Sequence, residues 1–262
     1  MTPSNPLLAL NLSVDYAGKP GVLKNAALEI ERGEVLGLVG QSGSGKSTLA
    51  LAILRLLNSA SARCTGEILF QDRDLMGLSE QKMRQVRGRE IGLVLQSPLS
   101  SLNPSLRIGT QLMEAWKAHA DGSSGQARAY QLDVLKSVSL PADESFLRRY
   151  PRQLSVGLAQ RVLVAMSILH RPALLIADEP TSALDAITAA EILQLFGRLN
   201  QELKMTILYV SHDLLSVASL CHRVAILHEG EIVECAKTEQ IFGSPAHPYT
   251  RRLIAALPRN PF

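Results

Sequence analysis

Residues 35–51 join an apolar run, a glycine-rich loop and a helix-forming run. The loop contains the spacing G-x-x-x-x-G-K-S/T, formed by Gly40, Gly45, Lys46 and Ser47. In this spacing glycines let backbone N–H groups surround phosphate oxygens, the lysine neutralises β/γ oxygens, and the hydroxyl coordinates magnesium. A helix that begins at the lysine adds the positive end of its dipole. The pattern therefore predicts a site for nucleotide phosphates and Mg²⁺.

The predicted nucleotide contacts cover the whole loop: Gly40, Gln41, Ser42, Gly43, Ser44, Gly45, Lys46, Ser47 and Thr48. The alternative is a chance match in a turn rich in glycine and serine. The flanking residues argue against chance, because Val35–Val39 has the composition of a buried parallel strand and residues 49–57 favour a helix.

Two adjacent carboxylates, Asp178 and Glu179, follow the apolar run 173–177. Ligands of open α/β sheets bind at the C-terminal ends of strands, which is where this pair is predicted. A solvated turn is the alternative for an isolated Asp-Glu pair. With a phosphate loop upstream, we interpret Asp178 as a magnesium ligand and Glu179 as the residue that orients or deprotonates an attacking water.

Two further residues are weaker candidates when each is taken alone. His212 follows the apolar run 205–210, so it is predicted at the same sheet edge as the phosphate loop, although a lone histidine is usually structural. Tyr16 precedes the loop and could stack on a base, although a single tyrosine is more often packed and half-buried.

The chain alternates short strands and turns over residues 7–39 and changes character at residue 97. From there a turn-rich junction leads into helical periodicity, broken at residues 121–125. We interpret residues 97–153 as a helical insert in an α/β core.

Composition restricts the classes of protein that fit. A hydrophobic share of 46% is ordinary for a globular protein, and a net charge of +3 over 262 residues does not require a surface that binds nucleic acid.

No apolar stretch reaches the roughly 18 residues that span a bilayer, and the first residues lack signal-peptide character. The cysteines, Cys64, Cys221 and Cys235, lack metal-site spacing and are expected to be structural. We therefore expect a cytosolic protein, in which any role at a membrane would depend on a partner protein.

The order of motifs resembles that of ATP-binding-cassette (ABC) ATPase subunits over essentially the whole chain. The matching residues are the phosphate loop, Gln96, Leu154–Leu158, Leu174–Glu179, Ser182–Asp185 and His212. The resemblance implies one ABC domain over residues 1–262, with a RecA-like P-loop NTPase core of the α/β class, an antiparallel β subdomain and the inserted α-helical subdomain. It also implies ATP and Mg²⁺ as cofactors.

The resemblance assigns roles that spacing alone does not. It implies that Tyr16 stacks on adenine and that His212 contacts the γ-phosphate. Gln96 would contact magnesium and water and link the site to the helical insert. Catalysis would then rest on Glu179, His212 and Gln96, and magnesium would be held by Ser47, Gln96 and Asp178.

The resemblance also implies a head-to-tail dimer with a homologous ATPase subunit. In such a dimer, Ser155 and Gly157 contact the γ-phosphate held by the partner, and Asp185 crosses the interface. ATP closes the pair and hydrolysis reopens it.

Three segments are similar to the dipeptide, oligopeptide and nickel importer subfamily: Gln96–Pro104, Ile176–Asp185 and His247–Leu253. This implies two membrane permeases, an extracytoplasmic substrate-binding protein and a peripheral position on the cytoplasmic face of the inner membrane. Residues 241–262 would be the short tail of this subfamily. The tail has no cysteine-rich extension, which favours a nickel or metallophore importer over a peptide importer.

The signature of the family normally reads Leu-Ser-Gly-Gly, and here Val156 replaces the first glycine, with Leu158 and Ala159 also departing from the pattern. A β-branched residue resists positive φ and adds bulk near the partner's phosphate. We hypothesise that the ATP site completed by this signature is weakened, and that the site of Lys46 and Glu179 does most of the hydrolysis.

Two other functions share part of these motifs. A soluble ABC ATPase of DNA repair or translation is disfavoured by the single cassette, by the absence of a coiled-coil or zinc insertion and by the weak net charge. A P-loop phosphotransferase would use Lys46 and Ser47 but has no use for the signature helix.

Overall fold

The structure, a computed structural model, describes residues 5–120 and 122–257, apart from the side chain of Ser124. The strands are β1 (Leu8–Tyr16), β2 (Lys19–Ile30), β3 (Val35–Val39), β4 (Ala62–Phe70), β5 (Arg73–Asp74), β6 (Ile91–Val94), β7 (Leu174–Asp178), β8 (Thr206–Ser211), β9 (Arg223–His228) and β10 (Glu231–Lys237). The helices are α1 (Lys46–Ile53), α2 (Glu80–Val86), α3 (Pro98–Ser101), α4 (Ile108–Lys117), α5 (Ser124–Ser137), α6 (Glu144–Leu147), α7 (Val156–Ile168), α8 (Ala186–Leu203), α9 (Leu214–Leu220), α10 (Thr238–Gly243) and α11 (Pro248–Ala255).

The described residues form two compact units, one running up to Met83 and resuming at Thr206, the other spanning Arg84–Met205. None of the helices within these ranges combines the length and apolar character that a membrane crossing requires.

The first unit contains an antiparallel sheet in the order β2-β1-β4-β5 and a second set of strands in the order β10-β9-β3-β8. In the second set, β3 runs parallel to both β8 and β9. Strand β3 is entirely buried, which agrees with the apolar run that predicted it. A parallel strand covered on both faces reads as a continuous apolar segment.

Strand β1 connects to β2 through residues 17–18 alone, because β2 already begins at Lys19 and pairs with β1 there. The connection is a tight turn whose Gly18 has φ +80°. Pro20 is compatible with strand structure here since β2 is the outer strand of its sheet, where a missing N–H donor costs no ladder hydrogen bond.

The second unit contributes the parallel pair β6 and β7 and a series of helices. Residues 97–153 contain helices α3, α4, α5 and α6 and a 3-10 turn at Pro151–Gln153, as the periodicity predicted; Asp121 lies outside the described residues. With parallel strands, an antiparallel sheet and this helical stretch, the predicted fold class is confirmed. The boundaries proposed for the helical insert (97–153) and for the C-terminal tail (241–262) stay predictions. Residues 258–262 of that tail lie outside the described range.

Strand β3 can approach α9 closely only because residue 37 is a glycine. A Cβ on Gly37 would stand 2.7 Å from Cγ1 of Val217 and 3.0 Å from Sγ of Cys221. Such distances force neighbouring side chains to shift. Because β3 leads directly into the phosphate loop, this contact helps to position the loop.

We expect Gly37→Ala to lower the free energy of unfolding by about 1–3 kcal/mol through overpacking. Val217→Ala removes the clashing methyl group, so the double variant should lose less stability than the two single variants added together. Urea unfolding of the four proteins measures this coupling. Gly243→Ala is the control, since a Cβ there meets nothing within 4 Å. Strictly additive losses would contradict the proposed contact.

Candidate functional site

The phosphate loop begins where β3 ends, and its first glycine is required by a backbone contact. A Cβ on Gly40 would lie 2.3 Å from the carbonyl oxygen of Leu227 in β9. At the other end of the loop, Gly45 has φ +108° and precedes the first residue of α1. A side chain at Gly45 would also approach the Val22 carbonyl oxygen within 2.8 Å. Both glycines of the motif are therefore sterically necessary.

Lys46 is held against the loop that it follows. Its Nζ donates hydrogen bonds to the carbonyl oxygens of Gly40 at 2.8 Å and Gln41 at 3.1 Å. The side chain is buried, with 5% of its surface exposed. Ser47 is the next residue of the first helical turn and is exposed. An ammonium group, a hydroxyl and a helix N-terminus thus meet at one loop, the combination that binds polyphosphates.

His212 lies at the same sheet edge as the loop, as predicted. Strands β3 and β8 are parallel neighbours in which Val39 pairs with Ser211, so Gly40 and His212 are the next residues of the two strands. His212 is exposed. Tyr16 is the last residue of β1 and is partly exposed. Adenine stacking by Tyr16 stays a prediction.

The second unit brings together Gln96 and Glu179. In the parallel pair β6 and β7, Val94 is in register with Ala177, so the residues two positions further along each chain leave the same strand edge. Gln96 Nε2 donates to Glu179 Oε2 over 3.4 Å, a long hydrogen bond. Strand β6 ends at Val94, shortly before Gln96.

Asp178 and Glu179 have different surroundings although they are adjacent. Asp178 is the last residue of β7 and is 8% exposed. Glu179 is more exposed and adopts φ +48°, in the left-handed region that non-glycine residues rarely occupy. Its carbonyl oxygen accepts hydrogen bonds from the Ser182 amide at 3.3 Å and hydroxyl at 3.0 Å. The turn of residues 179–182 therefore holds a strained residue whose carboxylate meets Gln96.

Ser155 and its neighbours start helix α7. The Ser155 side chain accepts a hydrogen bond from the Leu158 amide at 3.3 Å and is the N-cap. Val156 is the first helical residue and does not have positive φ, so the expected backbone strain is wrong: a helix start tolerates a β-branched residue. Only the bulk of the Val156 side chain remains as a possible obstacle to a neighbouring ligand.

Gly157 has a structural role that the sequence did not reveal. A Cβ at Gly157 would stand 2.5 Å from Cγ2 of Thr188 in α8. Glycine at this position therefore allows α7 and α8 to pack closely, whether or not a nucleotide is bound.

Asp185 is the N-cap of α8. Its carboxylate accepts hydrogen bonds from the Ile187 amide at 3.1 Å and from the Thr188 amide at 3.0 Å and hydroxyl at 2.7 Å. The Thr188 amide and hydroxyl hold the pKa of Asp185 below its usual value. The carboxylate is therefore a fixed negative charge on an exposed turn.

The donor atoms predicted for magnesium fit that ion. Mg²⁺ prefers oxygen ligands and is usually shared between one or two protein side chains, substrate phosphates and water. The hydroxyl of Ser47 and the carboxylate of Asp178 are such ligands. Within residues 5–120 and 122–257, no group of three or more His, Cys, Asp or Glu residues is placed to hold a metal ion.

Two residues near the loop were missed from sequence. His228, the last residue of β9, stacks on the buried ring of Tyr249 with a centroid distance of 3.6 Å. The available signal was the segment His247–Leu253, which resembled a subfamily motif without indicating a role.

Two family models match the chain. The model described as ABC transporter matches residues 23–182, and the model described as Oligopeptide/dipeptide transporter, C-terminal region, matches residues 233–261.

The chain is similar to the glutathione import ATP-binding protein GsiA of Salmonella typhimurium (strain LT2), with 44% identity over 95% of this chain and 41% of the relative. The same protein of Escherichia coli (strain K12) is 42% identical over 97% of this chain and 42% of the relative. The chain thus spans about two fifths of the length of these curated relatives.

Solved structures share the fold. The dimeric ATP-binding cassette MJ0796, in a post-hydrolysis state bound to ADP and Pi, superposes with a TM-score of 0.75 at 30% identity, over 88% of this chain and 98% of that one. CbiO1 of Clostridium perfringens, part of the ABC transporter complex cbiONQ, gives a TM-score of 0.80 at 27% identity, over 98% of this chain and 97% of that one. Residues 233–261 match the C-terminal region of the oligopeptide/dipeptide transporters, and the ABC transporter model covers more than half of the chain, so this chain belongs to the ABC transporter family.

Proposed function

We propose that this chain binds and hydrolyses ATP and thereby powers an ABC importer of small peptides. The observation that carries the proposal is the phosphate loop, in which two glycines are sterically required and Lys46 is folded onto the loop carbonyls. A loop of this construction at a helix N-terminus serves polyphosphate binding. Membership of the ABC transporter family supports ATP as the nucleotide.

In this proposal the first unit binds the nucleotide. The loop amides and the Lys46 ammonium bind the β- and γ-phosphates, with Ser47 directed to the metal ion. His212 contacts the γ-phosphate from the neighbouring strand end, and Tyr16 stacks on adenine. Bound magnesium would neutralise developing charge on the phosphate oxygens, with Ser47, Asp178 and Gln96 as its protein ligands.

Glu179 is the proposed catalytic base. Its carboxylate orients the attacking water and accepts its proton as the water oxygen bonds to the γ-phosphorus and the bond from that phosphorus to the oxygen of the leaving ADP breaks. The hydrogen bond from Gln96 supports this role because it gives the carboxylate a defined direction. Gln96 would then link the ATP site to the adjoining helices of residues 97–153.

The proposed working form is a head-to-tail pair with a homologous ATPase subunit. Ser155 and Gly157 would contact the nucleotide of the partner, and Asp185 would cross the interface. The exposed N-caps at Ser155 and Asp185 support this arrangement, as does the dimeric state of the related MJ0796 cassette. Two membrane permeases and, indirectly, an extracytoplasmic substrate-binding protein would complete the importer, with this chain on the cytoplasmic face of the inner membrane.

Small peptides are the proposed cargo. The C-terminal region matches the oligopeptide/dipeptide class, and the relatives are named for glutathione import. The expectation of a nickel or metallophore cargo is not adopted, because the matching region and the relatives named above point to peptides. The soluble repair or translation ATPase and the phosphotransferase are disfavoured by the same match.

We expect Glu179→Gln to abolish ATP hydrolysis by the assembled importer while ATP binding persists. Removal of a general base costs about 10²–10⁴-fold in rate, and the amide keeps the shape of the side chain. Phosphate release by the chain alone, and by the chain with its co-expressed ATPase and permease partners, measures the effect.

Glu202→Gln is the matched control, because Glu202 is an exposed residue of α8. It should leave hydrolysis unchanged. Full activity of the assembly carrying Glu179→Gln would show that the partner subunit performs the hydrolysis.

Val156→Gly tests the proposed asymmetry of the two ATP sites. If the bulk of Val156 obstructs the partner's phosphate, the glycine variant should raise the ATPase rate of the assembly. Val156→Ala should raise it too, since it removes the branched methyls while keeping good helix propensity. Thermal unfolding of the free chain controls for the cost of glycine in a first helical turn. An unchanged or lower rate in both variants would reject the asymmetry.

A further inference from the structure

Thr188 lies between the two helix starts that the proposed function assigns to the partner interface. It is in the first turn of α8 and follows the N-cap Asp185, whereas Ser155 is the N-cap of α7. A Cβ on Gly157, in the first turn of α7, would stand 2.5 Å from Cγ2 of Thr188. The methyl group of Thr188 therefore packs directly against the start of α7.

The hydroxyl group of the same side chain contacts Asp185. It donates a hydrogen bond of 2.7 Å to Oδ2 of the carboxylate. The other oxygen, Oδ1, accepts hydrogen bonds from the Ile187 amide at 3.1 Å and the Thr188 amide at 3.0 Å. The backbone amides thus fix one oxygen of Asp185. The Thr188 hydroxyl fixes the other oxygen, and with it the orientation of the carboxylate plane.

The two contacts of Thr188 cannot be adjusted separately. The methyl and hydroxyl groups of a threonine share one Cβ and take staggered positions together. A rotation of χ1 that moves the methyl group away from Gly157 therefore also takes the hydroxyl off the Asp185 carboxylate. The start of α7 and the direction of this carboxylate are linked through a single torsion angle.

An ion pair one turn further along opposes separation of α7 and α8. Nη2 of Arg161 in α7 lies 2.9 Å from Oε2 of Glu191 in α8. Nη1 of the same arginine donates to the Val138 carbonyl oxygen at 3.0 Å, and 12% of the arginine side chain is exposed. Because the helices are joined here, added bulk at Gly157 is relieved by rotation of the Thr188 side chain rather than by separation of the helices.

We propose that Thr188 is a positioning residue for the ATP site shared with the partner subunit, because it couples the turn of Ser155 and Gly157 to the carboxylate of Asp185. These groups then approach the partner as one rigid surface. Thr188 itself supplies no ligand atom to the nucleotide in this arrangement. The inference rests on the proposed function, since the shared site exists only in the ATPase pair.

Two substitutions at Thr188 separate its contacts. Thr188→Val keeps a methyl group against Gly157 and removes the hydroxyl, so we expect the ATPase rate of the assembled importer to fall about three- to tenfold, the scale of one hydrogen bond. Thr188→Ser keeps the hydroxyl and should lose less. Thr110→Val is the matched control, because Thr110 is an exposed residue in the first turn of α4. It should keep the rate of the unchanged chain.

Gly157→Ala and its combination with Thr188→Ser give a test by rescue. Alanine favours a helix more than glycine does, so helix propensity does not explain a loss. We expect Gly157→Ala to lower the ATPase rate of the assembly about tenfold, as small misplacements at a reacting site do. The double variant lacks the clashing Cγ2 and keeps the hydroxyl, so it should recover most of the rate.

Two measurements on the free chain show whether a loss has the proposed cause. The affinity of the chain for ATP with Mg²⁺, measured by calorimetric titration, should be equal in all variants, because Lys46 and its loop belong to the first unit. The Thr188 amide and hydroxyl hold the pKa of Asp185 below its usual value. NMR titration of the Asp185 carboxyl group should therefore give a higher pKa in Thr188→Val, which lacks the hydroxyl.

Persistence of the Gly157→Ala loss in the double variant would overturn the proposal. Equal ATPase rates of Thr188→Val and the unchanged chain would do the same. A loss of ATP affinity in the free Thr188 variants would indicate general loosening and would also count against it. If the unchanged assembly does not hydrolyse ATP, the proposed function fails. If it hydrolyses ATP and the variants do not differ from it, this inference fails alone.

Discussion

The absence of a side chain at Gly40 is the constraint on which the nucleotide site depends. The Leu227 carbonyl oxygen lies 2.3 Å from the position of the missing Cβ, so the end of β9 and the start of the loop meet backbone to backbone. Lys46 then closes the loop by donating to the Gly40 carbonyl. A larger residue at position 40 would push the loop away from the end of β9 and displace the carbonyl that holds the lysine. Phosphate recognition therefore begins with a packing requirement.

Helix starts in the second unit combine stability with proposed contacts to a partner. Ser155 and Asp185 are N-caps, each accepting hydrogen bonds from amides of the following turn. The same helix ends carry partial positive charge, which favours phosphate or a carboxylate nearby. A substitution at either residue would consequently change both the local helix and the proposed interface.

Parallel pairing explains why residues distant in the chain converge. The register of Val39 with Ser211 places the loop and His212 at one edge of the first unit. The register of Val94 with Ala177 places Gln96 beside Glu179 in the second unit. Because parallel strands end in the same direction, polar residues that follow such strands gather without any local sequence relation. The left-handed conformation of Glu179 then directs the carboxylate, at a cost of about 1–3 kcal/mol in backbone strain.

The sequence predicted the phosphate loop, the strand-end acids, the α/β class and the family, because each follows from short spacings or from the order of motifs. It was wrong about backbone strain at Val156, since only the observed start of α7 shows that this residue is helical. The sequence also did not indicate that residue 157 must be a glycine for α7 to pack against Thr188 of α8. The stack of Tyr249 on His228 was likewise decided by the tertiary structure. Periodicity and spacing report which face of an element is buried, whereas contacts between separate elements depend on how those elements pack.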